Sequence, residues 1–282
     1  MNTYEMITNR ILEKMKAGQV PWRRPWKFQP PRNFVSKRRY HGINFLLLTL
    51  NEFDSPFYVT FQQAKQLGGS IKKGEHGTPV VFWKLLESLE KNEENGEEKP
   101  KVIPYLQYST VFNLTQTEGI DAPKDAAKPV EPLAVCEEII EGFADKPQTI
   151  HTLLPQAYYQ PEADSIHMPA KSTFVSSEAY YATLFHEYVH ATGHEKRLNR
   201  HAQENTNFDF GSKDYSKEEL VAELGSAFLC AAAHIDNSAI DNNAAYLNSW
   251  MRVLEEDKKF IIFASAKAGK AVDYIRNKRG GG

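Results

Sequence analysis

Between Phe185 and His190 the chain carries an H-E-x-x-H run, His186-Glu187-Tyr188-Val189-His190, inside a stretch with helical periodicity. Ala182, Phe185 and Val189 recur on one face, Ser176 and Ser177 are placed to cap the N-terminus, and Gly193 offers a left-handed stop. The motif thus has the helix it needs. Two histidines four residues apart project from one side of a helix, close enough to share one zinc ion at about 2.0 to 2.1 Å each. Glu187 then stands beside the ion's open position, where a carboxylate can take a proton from water and pass it to a leaving amine.

A catalytic zinc keeps three protein groups and leaves one position open. His194 extends the run, but eight helical residues rise about 12 Å, so it cannot join His186 on one ion unless the helix breaks. Lys196 stands where the pattern H-E-x-x-H-x-x-G-x-x-H needs its last histidine, which rejects that pattern although Gly193 keeps its glycine. Downstream, 218–229 reads as a second helix with Glu219 and Glu223 one turn apart. Packed across the first helix, it offers Glu219 to the metal and lets Glu223 hydrogen-bond the far nitrogen of a ligating histidine. Ser216-Lys217-Glu218-Glu219 also fits a capping box; on that reading Glu223 inherits the metal.

Charge divides the chain. Residues 1–84 hold 14 lysines and arginines against 5 acidic residues, a surplus of 9, whereas the remainder holds 20 against 31, a deficit of 11. A basic, aromatic-rich first part is what a sequence-tolerant binder of single-stranded DNA needs, with cations for phosphates and rings for bases. No apolar run is long enough to span a bilayer, and the first 16 residues lack a signal-peptide pattern, so the cytoplasm is the expected compartment and a membrane is not an expected partner. The two cysteines, Cys136 and Cys230, lie far apart with no C-x-x-C spacing and read as buried thiols.

Taken in order, 3–17 carries a helical apolar stripe, Met6, Ile7, Ile11, Leu12 and Met15, that Gly18 ends; it reads as a docking helix. In Val20-Pro21-Trp22-Arg23-Arg24-Pro25-Trp26-Lys27 the tryptophans can plug a core or stack on bases, while Arg23, Arg24 and Lys27 should face solvent or phosphate. Lys37-Arg38-Arg39-Tyr40 and Lys72-Lys73 complete the candidate nucleic-acid contacts. Strands are expected at 79–83 and 105–113, with an acidic loop over 87–101 between them. A Pro-, Ala- and Lys-rich linker at 122–132 separates a first domain, 1–121, from a second, 133–282. The second opens with a helix over 133–144 and two short strands within 157–169, the kind of edge that gives an extended peptide its main-chain hydrogen bonds. The segment 197–211 reads as a polar loop. Tyr215, just ahead of the second helix, is open to packing or to an oxyanion role. The pattern over 246–268 closes the core.

The ordered set Val20-Pro21-Trp22 with Pro25-Trp26, Tyr40-His41-Gly42-Ile43-Asn44, Thr60-Phe61-Gln62-Gln63-Ala64, Lys73-Gly74-Glu75, Val111-Phe112-Asn113 and Thr117-Glu118-Gly119, followed by His186 to His190 and Glu218 to Glu223, resembles the ArdC-type antirestriction proteins over nearly the whole chain. The resemblance implies an α+β protein of two domains, an N-terminal domain that binds single-stranded DNA and a C-terminal zincin-like metallopeptidase domain. It also implies carriage on conjugative elements and protection of incoming DNA from restriction. Three functions stay open at this point. The protein can be a zinc peptidase brought to DNA-associated or restriction-related proteins, a DNA-binding module whose metal site is structural, or a peptidase that inactivates a regulatory protein.

Overall fold

A computed structural model describes residues 2–23, 30–51, 53–91, 98–121, 132–200, 213–237 and 244–276. The first part runs α1 (Thr3–Lys16), β1 (Arg32–Asn33), α2 (Gly42–Thr49), β2 (Phe57–Thr60), α3 (Phe61–Gln66), β3 (Ser70–Ile71), β4 (Thr78–Lys91), β5 (Glu98–Asn113) and β6 (Thr117–Glu118). The second runs α4 (Pro132–Gly142), β7 (Gln148–Thr152), β8 (Tyr158–Gln160), β9 (Ser165–Pro169), α5 (Ser177–Ala191), α6 (Lys213–Ala233), α7 (Ala244–Glu256) and α8 (Phe260–Ile275).

Helix α1 begins where Asn2 accepts from the Glu5 N–H and Glu5 reaches back to the Asn2 N–H, a closed capping box, and it stops before Gly18, whose φ is +77°. Its stripe of Ile7, Ile11, Leu12 and Met15 is buried, as the periodicity requires. The helix docks on the second part of the chain. Lys16 pairs with Glu255 at 2.7 Å, and Thr8 donates to the Lys258 carbonyl at 2.6 Å.

One sheet has the order β1-β2-β5-β4, and β3 pairs with β6 beside it. At its β4 edge the Asn44 side-chain amide donates to the Val81 carbonyl and accepts from the Val81 N–H, both at 2.7 Å. An edge strand that would otherwise invite pairing is thereby closed by α2. Strands β4 and β5 pair from Thr78↔Val111 outward to Lys91↔Glu98. The acidic loop expected over 87–101 is therefore strand over Glu87 to Lys91 and Glu98 to Lys101, and its centre, 92–97, lies outside the described residues. Hairpin pairing that continues outward from Leu86 and Ile103 overrides a composition that reads as solvated.

The second sheet has the order β7-β9-β8, with β7 parallel and β8 antiparallel to β9. The sequence reading anticipates β8 and β9 but not β7. The linker at 122–131 lies outside the described residues, and Pro132 already begins α4. Both cysteines are buried free thiols, and burial pushes that of Cys136 up to about 12.

A single apolar core joins the two parts. Ile7, Ile11, Trp22, Phe45 and Leu46 from the first share it with Phe185, Leu224, Trp250 and Phe260 from the second. Trp22 is 1% exposed and meets Trp250 edge to face at 5.5 Å. Core, not base stacking, is the place of this tryptophan; Trp26 lies outside the described residues. Among the described residues no helix is long and apolar enough to cross a membrane.

Candidate metal centre

The H-E-x-x-H run falls in α5, whose N-terminus is capped by Ser176 accepting from the Ala179 N–H at 3.1 Å. Ala182, Phe185 and Val189 are fully buried. The C-terminus departs from expectation. Gly193 is outside the left-handed region, and the helix unwinds through Thr192, which stays right-handed and donates its hydroxyl to the Val189 carbonyl at 2.6 Å.

Helix α6 crosses α5 at close range because Gly225 lies against Val189. A Cβ on Gly225 would stand 2.6 Å from Val189 Cγ2. Next to it Ser226 donates to the Ala182 carbonyl at 2.8 Å, which ties the crossing. This approach carries Glu219 to the histidine pair. Nε2 of His186 and Nε2 of His190 are 3.0 Å apart, and the two oxygens of Glu219 stand 3.4 Å and 3.3 Å from them, respectively.

These three side chains form the one group among the described residues that could hold a metal ion. The donor set fits such an ion. Two inward-facing ring nitrogens at this distance need a proton or a cation between them, and a carboxylate on the same spot supplies the counter-charge. Glu219, rather than Glu223, faces both histidines. The capping-box alternative fails because α6 already runs from Lys213, which puts Ser216 inside the helix, its hydroxyl 2.7 Å from that of Ser249. Tyr215 is likewise inside the helix. His194 is not part of this group, and its Nδ1 accepts from the Lys196 N–H at 3.2 Å.

Each histidine has a carboxylate behind it. Glu223 lies 4.0 Å from His186 Nδ1, and Glu218 lies 3.6 Å from His190 Nδ1. Arg23 holds the first through Nη2 at 3.0 Å and Nε at 3.3 Å. Arg200 holds the second through Nη2 at 2.5 Å and Nε at 3.0 Å, and also donates to Thr192 and to the Val189 carbonyl. At 3.6 and 4.0 Å these are ion-pair contacts and not hydrogen bonds; they place each carboxylate where a small closure would let it hold the tautomer and tilt of a ligating imidazole. The sequence reading names Glu223 for this task and misses Glu218 and Arg200. Glu218 is signalled only as the neighbour of Glu219, and Arg200, from a stretch read as polar loop, by nothing at all.

Electrostatics follow from burial. On His186 and His190 burial opposes the charged form, but the Glu219 carboxylate outweighs it and the net shift is upward, strongly for His190. Burial tends to raise Glu219, and the two imidazoles overcome it and hold the group well below the usual carboxylate range. Glu187, 6% exposed, is pushed up by burial against the pull of the imidazoles. A carboxyl raised in this way holds a proton to higher pH than an exposed one, which suits a group that must take up a proton and give it back.

The expected nucleic-acid contacts divide. Arg23 does not face solvent; its side chain is 8% exposed in the pair with Glu223, because a buried carboxylate claims the guanidinium. Arg24 and Lys27 lie outside the described residues. Lys37, Arg38 and Arg39 are exposed in the turn after β1, with the Lys37 ammonium 4.2 Å over the Phe34 ring. Tyr40 is half-buried, edge-on to Tyr58 at 6.3 Å. In the turn after β3, Lys72 and Lys73 are both exposed, and Lys72 donates to the Thr115 carbonyl at 2.7 Å.

Comparison with known proteins covers both halves. Residues 1–112 match the N-terminal domain of anti-restriction factor ArdC, and residues 137–267 match a zincin-like metallopeptidase domain. The metal-free crystal structure of antirestriction protein ArdC from plasmid R388 superposes with a TM-score of 0.80 at 37% identity, covering 98% of this chain and 97% of that one. The Mn(II)-bound structure of the same protein gives 0.79 at 34%, over 100% and 99%. A protein of Sinorhizobium fredii strain NGR234, y4eC, is 33% identical over 96% of this chain and 91% of its own length. DNA primase TraC of Escherichia coli is 34% identical over 96% of this chain, which spans only 27% of the primase.

Proposed function

The chain belongs to the ArdC-type antirestriction proteins, two-domain α+β molecules with an ArdC N-terminal domain and a zincin-like domain, and from that premise we propose the following division of labour. The first domain binds single-stranded DNA, and the second holds a divalent metal, Zn2+ or a relative of it, on His186, His190 and Glu219 to cleave peptide bonds in a DNA-associated protein. Together they protect incoming mobile-element DNA from host restriction.

The observation that carries the reading is the meeting of two Nε2 atoms and one carboxylate within 4.8 Å, with a raised carboxyl on Glu187 next in sequence to one of the histidines. A bound divalent ion supplies Lewis acidity toward a carbonyl and toward water. The chain's own residues do the rest. Glu187, buried beside the two imidazoles, takes a proton and returns it to the leaving amine. Glu218 and Glu223 stand behind the imidazoles, 3.6 and 4.0 Å from Nδ1 of His190 and His186, placed to orient the rings when an ion draws them in. Strand β8, at the edge of its sheet beside α5, offers backbone groups to an extended peptide. In the first domain the exposed Lys37, Arg38, Arg39 and Lys73 supply phosphate contacts, in line with the basic surplus of that half. That the R388 relative has a Mn(II)-bound structure supports a divalent ion as the kind of metal this chain would hold.

The testing experiment compares wild type with Glu187→Gln for metal content, oligo-dT binding and cleavage of an unstructured protein. Wild-type cleavage that disappears in the variant, with metal and DNA binding kept, is the expected outcome. Equal cleavage in both, or none in metal-loaded wild type, removes the peptidase from the account.

A further inference from the structure

The three groups proposed to hold the metal all lie in the second domain, yet one support of that centre comes from the first. Arg23 follows the segment Val20-Pro21-Trp22, and its guanidinium engages both oxygens of Glu223. The segment is pinned where it enters. Trp22 is buried against Trp250, its carbonyl accepts from the Asn237 side chain at 3.0 Å, and the Arg23 N–H bonds the Val20 carbonyl at 3.0 Å. Glu223, with a side chain only 9% exposed, faces His186 Nδ1 at 4.0 Å. On the other histidine the same chemistry recurs, Arg200 on Glu218 and Glu218 behind His190, built wholly within the second domain. The two arms match in kind and differ in origin.

A buried carboxylate keeps one orientation only if both its oxygens are engaged, and a guanidinium is the side chain that engages both at once. We infer that Arg23 is a positioning residue of the metal centre, lent by the first domain, which fixes Glu223 so that Glu223 fixes His186. The inference rests on the metal reading above. It makes metal affinity a property of the two domains together.

The test is a double-mutant cycle on the full-length chain, with the Mn(II) dissociation constant and the Co(II) absorption spectrum as readouts. Arg23→Met weakens Mn(II) binding by about tenfold or more, the range expected when the partner behind a ligand is lost, and it alters the Co(II) spectrum. Glu223→Gln weakens it comparably, and the double variant is no weaker than Glu223→Gln alone, because both residues act through one carboxylate. Arg23→Met within twofold of wild type with the same Co(II) spectrum overturns the inference, as does an Arg23→Met loss that persists undiminished on the Glu223→Gln background. Should Arg23→Met fail to fold, Arg23→Lys serves. It keeps the charge but not the fork and is expected to bind about threefold or more weaker; wild-type affinity there overturns the inference. Wild type that takes up neither Mn(II) nor Co(II) removes the metal reading itself, an outcome distinct from wild type that binds while the Arg23 variants bind equally well.

Discussion

Val189 and Gly225 meet at the crossing of α5 and α6 so closely that a Cβ on Gly225 would stand 2.6 Å from one Val189 methyl and 2.9 Å from the other. Close approach of these helices is what lets Glu219 reach His186 and His190, so the packing and the candidate ligand set are one feature. Gly225→Ala is expected to lower stability by about 1–3 kcal/mol in urea and to weaken Mn(II) binding. Adding Val189→Ala should recover part of both. If Gly225→Ala unfolds and binds metal like wild type, the crossing does not set the ligand distances.

Glu219 also governs competition between metal and protons. Against the pull of burial, it moves both imidazoles above their ordinary range. They therefore keep protons to higher pH than free histidine, and Mn(II) affinity should begin to fall above the ordinary value of about 6.5 as pH decreases. In the metal-free protein the sign for stability is the reverse. The protonated pair stabilises the fold fully below about 6.5, and that contribution is lost as pH rises through the raised folded values. Metal titrations across pH on wild type and Glu219→Gln check this, the variant showing weaker binding and a lower pH midpoint. An unmoved midpoint contradicts the assignment.

Arg200 is 6% exposed and is the partner of Glu218, itself 8% exposed. Arg200→Met strands that carboxylate and is expected to cost about 3–5 kcal/mol. Arg200→Met with Glu218→Gln should recover much of the loss, since the uncompensated charge is gone. Chemical denaturation of the two variants beside wild type measures it, and Arg200→Met as stable as wild type would show that the pair contributes nothing.

Because Glu223 holds Arg23, this residue should not be among the phosphate contacts. In a salt series with oligo-dT, Arg38→Ala and Lys73→Ala each reduce the slope of log K against log salt by about 0.7, whereas Arg23→Met leaves the slope unchanged. A reduced slope in Arg23→Met restores this arginine to the DNA surface.

How much of this was legible in the sequence varies with the range of the signal. Local signals served well. The stripe of α1 and its stop at Gly18, the spacing of His186 and His190, and the one-turn spacing of Glu219 and Glu223 all have their counterparts in the fold. Signals that depend on distant partners did not. Arg23 reads as a solvent-facing cation until Glu223, 200 positions away, is brought to it, and Arg200 carries no periodicity that separates it from the polar residues around it. Glu87 to Lys91 look solvated by composition yet extend a hairpin whose register is set at Thr78 and Val111. Strand β7 escaped because its residues are mostly exposed and show no alternation.

The most direct measurement is anomalous diffraction from crystals soaked in Zn(II) or Mn(II), collected at the metal's absorption edge. The account predicts one strong peak within bonding distance of His186 Nε2, His190 Nε2 and a Glu219 oxygen, with Glu223 still on Arg23. A peak elsewhere, or none at saturating metal, contradicts it.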